Sequence, residues 1–238
     1  QNFTPNSTNQ PCSFDWKEPW KVILSMCMEI ASLELGPFAT NAYLLWEQHK
    51  EEAVLFDAPP DAEKAIPKLL DEQNLTLTDV YLTHGHWDHF GGLPLLGLTG
   101  FQNWLHPDDR ILVENPELAS FYVPPGIPLL PAKVDHDLAH GQTLQILGQS
   151  AEIRHVPGHS PGSVLFYFPK LGTAIVGDTI FAGSIGRTDL PGGDFPTLEK
   201  AIREQIYTLP DDTILLPGHG PKTTVAQEKA TNPFVRLE

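Results

Sequence analysis

Cysteine is nearly absent: Cys12 and Cys27 are the only two in 238 residues. Two thiols cannot build a disulfide framework, and these two lack the paired spacing of a thiolate zinc site. A reducing cytoplasm is therefore the expected compartment. Positive charge is also scarce, with 15 Lys and Arg against 30 Asp and Glu, for a formal net charge of -15. Sequence-independent binding of nucleic acid and adhesion to an anionic membrane both depend on clustered Lys and Arg, so neither partner is expected. No apolar run approaches the roughly 20 residues that span a bilayer; the run at 22–28 is ended by Glu29. Internal repeats and low-complexity tracts are missing too, which leaves one domain of ordinary core size as the expectation.

The first 20 residues are polar, with scattered Asn, Pro and Thr, and regular patterning begins near Met28. Residues 1–27 are therefore expected to be an N-terminal extension outside the core, and 28–238 the folded domain. Within that domain one device recurs, in which a short β-rich apolar run ends in a polar residue. Residues 53–56 end in Asp57, 80–83 in His84, and 153–156 lead through Pro157 and Gly158 to His159. Residues 173–176 lead through Gly177 to Asp178, and 213–216 through Pro217 and Gly218 to His219. Runs of this length, rich in Val, Ile, Leu and Thr and bounded by Gly and Pro, read as buried strands. Polar residues just past separate strand ends can converge on one edge of packed sheets.

Further strands are expected at 29–35, 41–46, 144–147 and 164–168, and helices at 61–73 and 197–208. Pro67 should kink or shorten the first helix, and Thr224 with Gln227 forms a capping box that opens a last one. The Pro-rich stretch 122–131 reads as a surface loop that either borders a cleft or simply connects two elements.

The strongest chemical signal is Thr83-His84-Gly85-His86-Trp87-Asp88-His89. In extended chain His84 and His86 point to one side, and Gly85 leaves room for close approach. Asp88 and His89 come as the chain turns into a helix and can serve a neighbouring ion. Imidazole and carboxylate suit zinc and tolerate iron or manganese. His159, Asp178 and His219 gain weight from their shared position past strand ends. His49, His106, His136, His140 and His155 have no such context and are assigned to surface or packing roles.

These motifs, with Gly158-His159-Ser160-Pro161-Gly162, Gly177-Asp178 and Gly218-His219-Gly220-Pro221, resemble the metallo-β-lactamase superfamily. Residues 186–194 and the ending Asn232-Pro233-Phe234 are most similar to the short bacterial hydroxyacylglutathione hydrolases of its glyoxalase II group. The resemblance covers about residues 28–234. It implies an α/β (α+β) αββα sandwich, two mixed sheets flanked by helices, with the site at one edge of the sheets. It also implies that His84, His86 and His159 hold one divalent ion, that Asp88, His89 and His219 hold a second, and that Asp178 bridges them. Asp57 occupies the place of an acid that orients the ligand loop.

Two ions about 3.5–4 Å apart lower the pKa of a shared water and supply a hydroxide nucleophile. The activity implied is hydrolysis of a small-molecule thioester, S-lactoylglutathione to lactate and glutathione, with Asp88 both binding metal and steering the water. Longer relatives carry a further domain that supplies basic residues to glutathione. Here Arg187 and Lys222 are the nearest candidates, with a structural role for Arg187 equally open. The alternatives are a one-iron persulfide dioxygenase, which shares the Gly-Arg-Thr-Asp segment, and a lactonase or β-lactamase of the same fold.

Overall fold

The computed structural model describes residues 21–23 and 28–237. The first sheet has seven strands in sequence order: β1 (Lys21–Ile23), β2 (Met28–Leu35), β3 (Thr40–Glu47), β4 (Glu52–Phe56), β5 (Thr76–Tyr81), β6 (Gln102–Leu105) and β7 (His136–Asp137). Its first four strands pair antiparallel and the rest parallel. The change comes where helix α1 (Ala62–Gln73) carries the chain back across the sheet between β4 and β5. Eight strands follow: β8 (Thr143–Ile146), β9 (Gln149–His155), β10 (Val164–Phe168), β11 (Thr173–Gly177), β12 (Ile180–Phe181), β13 (Ser184–Ile185), β14 (Ile214–Pro217) and β15 (Thr223–Thr224). Six of them form the second sheet in the order β15-β14-β11-β10-β9-β8, while β12 and β13 make a separate hairpin.

Alternation of side chains along each strand turns the two sheets into a four-layer sandwich. In β3 and β4, Tyr43, Leu45, Val54 and Phe56 face inward onto Ile153, Phe166 and Ile175 of the second sheet. Their neighbours Leu44, Trp46, Ala53 and Leu55 face outward, where Ala62, Ile66, Leu69 and Leu70 of α1 cover them. The second sheet repeats the pattern, with Leu165, Tyr167, Ala174 and Val176 packing outward. They meet Leu198 and Ala201 of α4 (Phe195–Ala201) and Val225 of α5 (Val225–Thr231). Two-sided burial explains why these strands read as continuous apolar runs. Full burial of one such Leu or Phe contributes about 1.5–3 kcal/mol.

The expected strands and helices are present with shifted ends. The run at 80–83 leaves its strand at Tyr81, because Leu82 and Thr83 already belong to the turn that carries the ligands. Helix α1 continues past Pro67 to Gln73 and is not shortened there. The helix expected at 197–208 starts at Phe195, capped by Asp194, and passes into a π-turn over Ile202–Ile206. Thr224 caps α5 as its capping-box pattern predicts, accepting from the Gln227 backbone at 3.2 Å. Most of the stretch expected as an N-terminal extension lies outside the described residues. Its described part, Lys21–Ile23, is no loose tail; it pairs antiparallel with β2.

Candidate metal centre

Strands β4, β5, β9, β11 and β14 all finish at the same end of the sandwich, which brings Asp57, His84, His159, Asp178 and His219 together. After β5 the chain bends at Thr83 and His84 and is extended at His86, and the short helix α2 (Trp87–Phe90) that follows carries Asp88 and His89. Three ring nitrogens close a triangle. His84 Nε2 lies 3.1 Å from His86 Nδ1, which lies 2.8 Å from His159 Nε2, which lies 3.2 Å from His84 Nε2. Beside it stands a second group, with His219 Nε2 3.4 Å and His89 Nε2 3.9 Å from Asp88 Oδ2. Asp178 stands between the groups. Its Oδ1 is 3.2 Å from His89, and its Oδ2 is 3.3 Å from His219 and 3.5 Å from His159.

Four of the five imidazoles, His84, His89, His159 and His219, are held from their far side through Nδ1, while His86 turns its own Nδ1 toward the cluster. Asp57, at a left-handed φ of 58°, accepts from the Thr83 backbone, the Thr83 hydroxyl and His89 Nδ1, each at 2.8 Å. The Thr83 hydroxyl, its proton given to Asp57, accepts from His84 Nδ1 at 3.1 Å. His159 Nδ1 donates to the Arg187 carbonyl at 2.8 Å, and His219 Nδ1 to the Phe38 carbonyl at 3.0 Å. A partner on Nδ1 fixes the tautomer and turns the Nε2 lone pair toward the cluster, the arrangement metal-ligating histidines need. Gly218 is required here for space, since a Cβ would lie 2.1 Å from Asp178 Oδ1 and 2.6 Å from His89 Cε1.

The residues fit metal ions. His89 Nε2 and Asp178 Oδ1 are buried, face each other and make no hydrogen bond, a costly state that a cation between them relieves. Protonation differs between the two groups. Burial, reinforced by neighbouring imidazoles, holds His84 well below its ordinary value and His86 at about 3. Burial also opposes charge on His89 and His219, but Asp178 with Asp57 holds His89 well above its ordinary value. Asp178 with Asp88 pushes His219 up to about 10.

One anchoring residue escaped the sequence reading. Asp109, fully buried past the end of β6, accepts from the Gly85 backbone (2.8 Å), the Ser160 hydroxyl (2.6 Å) and the Gly162 backbone (2.7 Å). It ties the loop of His84 and His86 to the loop of His159. Its only signal was its place after a strand, hidden by the neighbouring Asp108. Gly85 is needed against it, because a Cβ there would lie 2.9 Å from the Asp109 backbone oxygen. Several histidines assigned to surface or packing roles do have partners. His136 stacks on Trp104, His140 accepts from the His155 backbone, and His106 stacks on His155 with rings 4.2 Å apart at 8°. His106, His155 and Asp108 come within ligand reach of one another, and His155 Nε2 is engaged by the Pro161 carbonyl at 2.7 Å.

A cleft of about 460 Å³ opens over the centre, walled by Phe38, Trp87, Tyr122, Phe181, Ile185 and Leu190. Tyr122 brings the Pro-rich loop to its rim. Arg187 lines the cleft with its guanidinium on the Asp189 carboxylate at 2.7 and 2.9 Å. Lys222 lies elsewhere, in a hollow with Ile30, Asn41 and Tyr43, apart from the residues that line the cleft. Among the described residues no helix is long and apolar enough to cross a membrane.

Two mixed sheets flanked by helices, with a His and Asp cluster across one edge, define a metallo-β-lactamase fold carrying metal-binding groups. The chain belongs to the Metallo-beta-lactamase superfamily, whose family model matches residues 35–219. It is 38% identical over 212 residues to hydroxyacylglutathione hydrolase GloC of Haemophilus influenzae, covering 87% of this chain and 98% of that protein. Among solved structures it superposes on BLEG-1 B3 metallo-beta-lactamase with a TM-score of 0.80 and 39% identity, over 87% of this chain and 99% of that one. A di-iron-bound form of TTHA1623 matches with a TM-score of 0.74 and 37% identity, over 85% and 98%.

Proposed function

We propose that this protein is a binuclear metal-dependent thioester hydrolase acting on hydroxyacylglutathione, with S-lactoylglutathione as substrate and lactate and glutathione as products. The observation that carries the reading is the Asp178 carboxylate, one oxygen toward His89 and the other toward His159 and His219. A carboxylate so placed is suited to join two ions. The similarity to a protein named hydroxyacylglutathione hydrolase supports the substrate class. Donors of this kind suit zinc, and iron and manganese as well.

When bound, the ions supply a water of lowered pKa and Lewis acidity toward a carbonyl oxygen. His84, His86 and His159 would hold one of them, Asp88, His89 and His219 the other, and Asp178 both. Asp57 keeps His89 and the Thr83 turn in place, and Asp88 orients the attacking water. In the overall step a water oxygen bonds to the thioester carbon, the C–S bond breaks, and the thiolate takes up a proton. With a leaving-group pKa near 8.5, by analogy with cysteine, a strong general acid is unnecessary. The aromatic wall formed by Phe38, Trp87 and Phe181 keeps bulk water from the acyl end. Arg187, at the rim, meets a glutathione carboxylate by exchanging it for Asp189. A net charge of -15 fits a cytoplasmic enzyme with no nucleic-acid or membrane partner.

The test is elemental analysis of the purified protein together with S-lactoylglutathione hydrolysis with and without chelator. About two ions per chain and chelator-sensitive cleavage are expected. Turnover of a cephalosporin with no thioester cleavage would instead favour β-lactam hydrolysis, a reading that the 39% identity to a protein named B3 metallo-beta-lactamase supports. One iron per chain with oxygen uptake on glutathione persulfide would move the protein to dioxygenase chemistry.

A further inference from the structure

The hairpin of β12 and β13 stands apart from both large sheets and has only two residue pairs, Ile180 with Ile185 and Phe181 with Ser184. A hairpin this short has little stability of its own. Yet it supplies Phe181 and Ile185 to the cleft wall, and the Phe181 ring lies 5.9 Å from that of His219. The next residues reach Arg187, whose carbonyl holds His159. Something outside the hairpin must fix it.

Two polar side chains from the end of the chain meet its turn, and both are fully buried. Glu228 of α5 accepts from the Gly183 backbone at 3.0 Å, from Asn232 Nδ2 at 2.9 Å and from the Thr223 hydroxyl at 2.5 Å. Asn232 Nδ2 also donates to the Ser184 carbonyl at 2.9 Å, while Asn232 Oδ1 accepts from the Phe234 backbone at 3.0 Å. Burying a carboxylate is costly unless its oxygens are filled. Here the donors that fill them include the hairpin turn itself. The Asn232-Pro233-Phe234 ending thus closes a network whose far end is the cleft wall.

We propose that Glu228 and Asn232 are positioning residues for the cleft. They hold the β12–β13 hairpin at the distance from the metal centre that lets Phe181 and Ile185 grip substrate, so the last helix governs substrate affinity without touching substrate. The proposal rests on the cleft being the substrate site. Its substitution is Glu228→Gln, which keeps shape and volume but removes the charge and turns one acceptor oxygen into a donor; at Oε2 the amide deprives both Gly183 and Asn232 of their acceptor, and at Oε1 it faces the Thr223 hydroxyl.

The experiment uses the full chain loaded with zinc. It measures kcat and KM on S-lactoylglutathione, amide hydrogen exchange across residues 179–187, and Tm. The expected result is faster exchange in the hairpin and a rise in KM of about fivefold that exceeds the fall in kcat. Phe181→Ala should also raise KM less in the Glu228→Gln background than in the parent, since both changes act on one wall. A lowered Tm with unchanged KM and unchanged hairpin exchange would overturn the proposal and leave Glu228 a purely structural acid. Asn232→Ala provides a second variant, which removes the donor to Ser184 and Glu228 without adding charge, with the same expected split. Failure of the parent protein to cleave S-lactoylglutathione would sink the substrate reading alone, because hydrogen exchange still decides whether Glu228 fixes the hairpin.

Discussion

The two halves of the centre differ in their donors, three imidazoles in one and two imidazoles with a carboxylate in the other, and so in how readily they take a proton. His84, His86 and His159 form a buried triangle of imidazoles, and burial, with the neighbouring imidazoles, outweighs Asp88 and Asp178 and holds His84 and His86 below their ordinary value. Across Asp178, His89 and His219 sit among Asp57, Asp88 and Asp178, whose charge raises both imidazoles above their ordinary value against the opposing effect of burial. The first half favours free lone pairs, whereas in the second the carboxylates favour a proton that a cation would have to displace. Carboxylates make the difference, because they stabilise either a proton or a metal ion in the same place.

The change that should erase the comparison is Asp178→Asn, which removes the charge both halves share. Loss of about 4 kcal/mol of stabilisation would lower activity about 1000-fold. Metal content should fall with it, and a variant with normal metal and full turnover would refute the bridging role. Asp57→Asn is a narrower cut, since Asn tolerates the left-handed backbone while giving up one acceptor oxygen. A loss of about tenfold or more in metal affinity, borne by the His89 half, is expected from competitive chelator titration. Equal loss in both halves would show that Asp57 acts on the whole loop through Thr83.

Acidity sharpens the contrast next. Burial opposes the charge on His219, but its carboxylate partners push its pKa up to about 10, against about 6.5 in an unfolded chain. Its contribution to the stability of the metal-free protein is therefore complete below pH about 6.5 and lost as pH rises through about 10. Urea unfolding of metal-free protein should show a decline across that window that His219→Gln flattens. The smallest effect is expected at the rim. Arg187→Ala should raise KM for S-lactoylglutathione about threefold, with kcat less affected. Lys222→Ala, in its separate hollow, should leave KM alone.

Much of this comparison was readable along the chain. The Thr83–His89 segment shows four donors at once, and the strand ends before His159, Asp178 and His219 mark where the others fall. Helix α1 follows from its apolar periodicity, and strand β10 from a short continuous run of apolar and aromatic residues. Asp109 was not readable. It lies next to an exposed twin, Asp108, and its role exists only because the Gly85 and Gly162 amides reach it from loops distant in sequence. Lys222 misled for the same reason, since nearness to His219 in sequence does not place it on the same face. The β12–β13 hairpin is too short for a period-two pattern to register, and the π-turn after α4 keeps the apolar face that a continuous helix would show.

The sequence by itself determined the fold class, the family and the set of groups able to bind metal. Those depend on periodicity, turn chemistry and short motifs, which are properties of neighbouring residues. The family resemblance already implied the grouping of the donors and the shared place of Asp178; tertiary structure supplied the distances, with Asp178 oxygens 3.2 Å from His89, 3.3 Å from His219 and 3.5 Å from His159. It also decided that Asp109 and Glu228 act as buried ties. Those outcomes depend on the register in which two sheets meet, as where Asn41 of one binds the Gly218 carbonyl of the other at 2.7 Å. No local preference encodes such a register. It is selected when both inner faces bury their apolar side chains and the buried polar groups find partners at the same time.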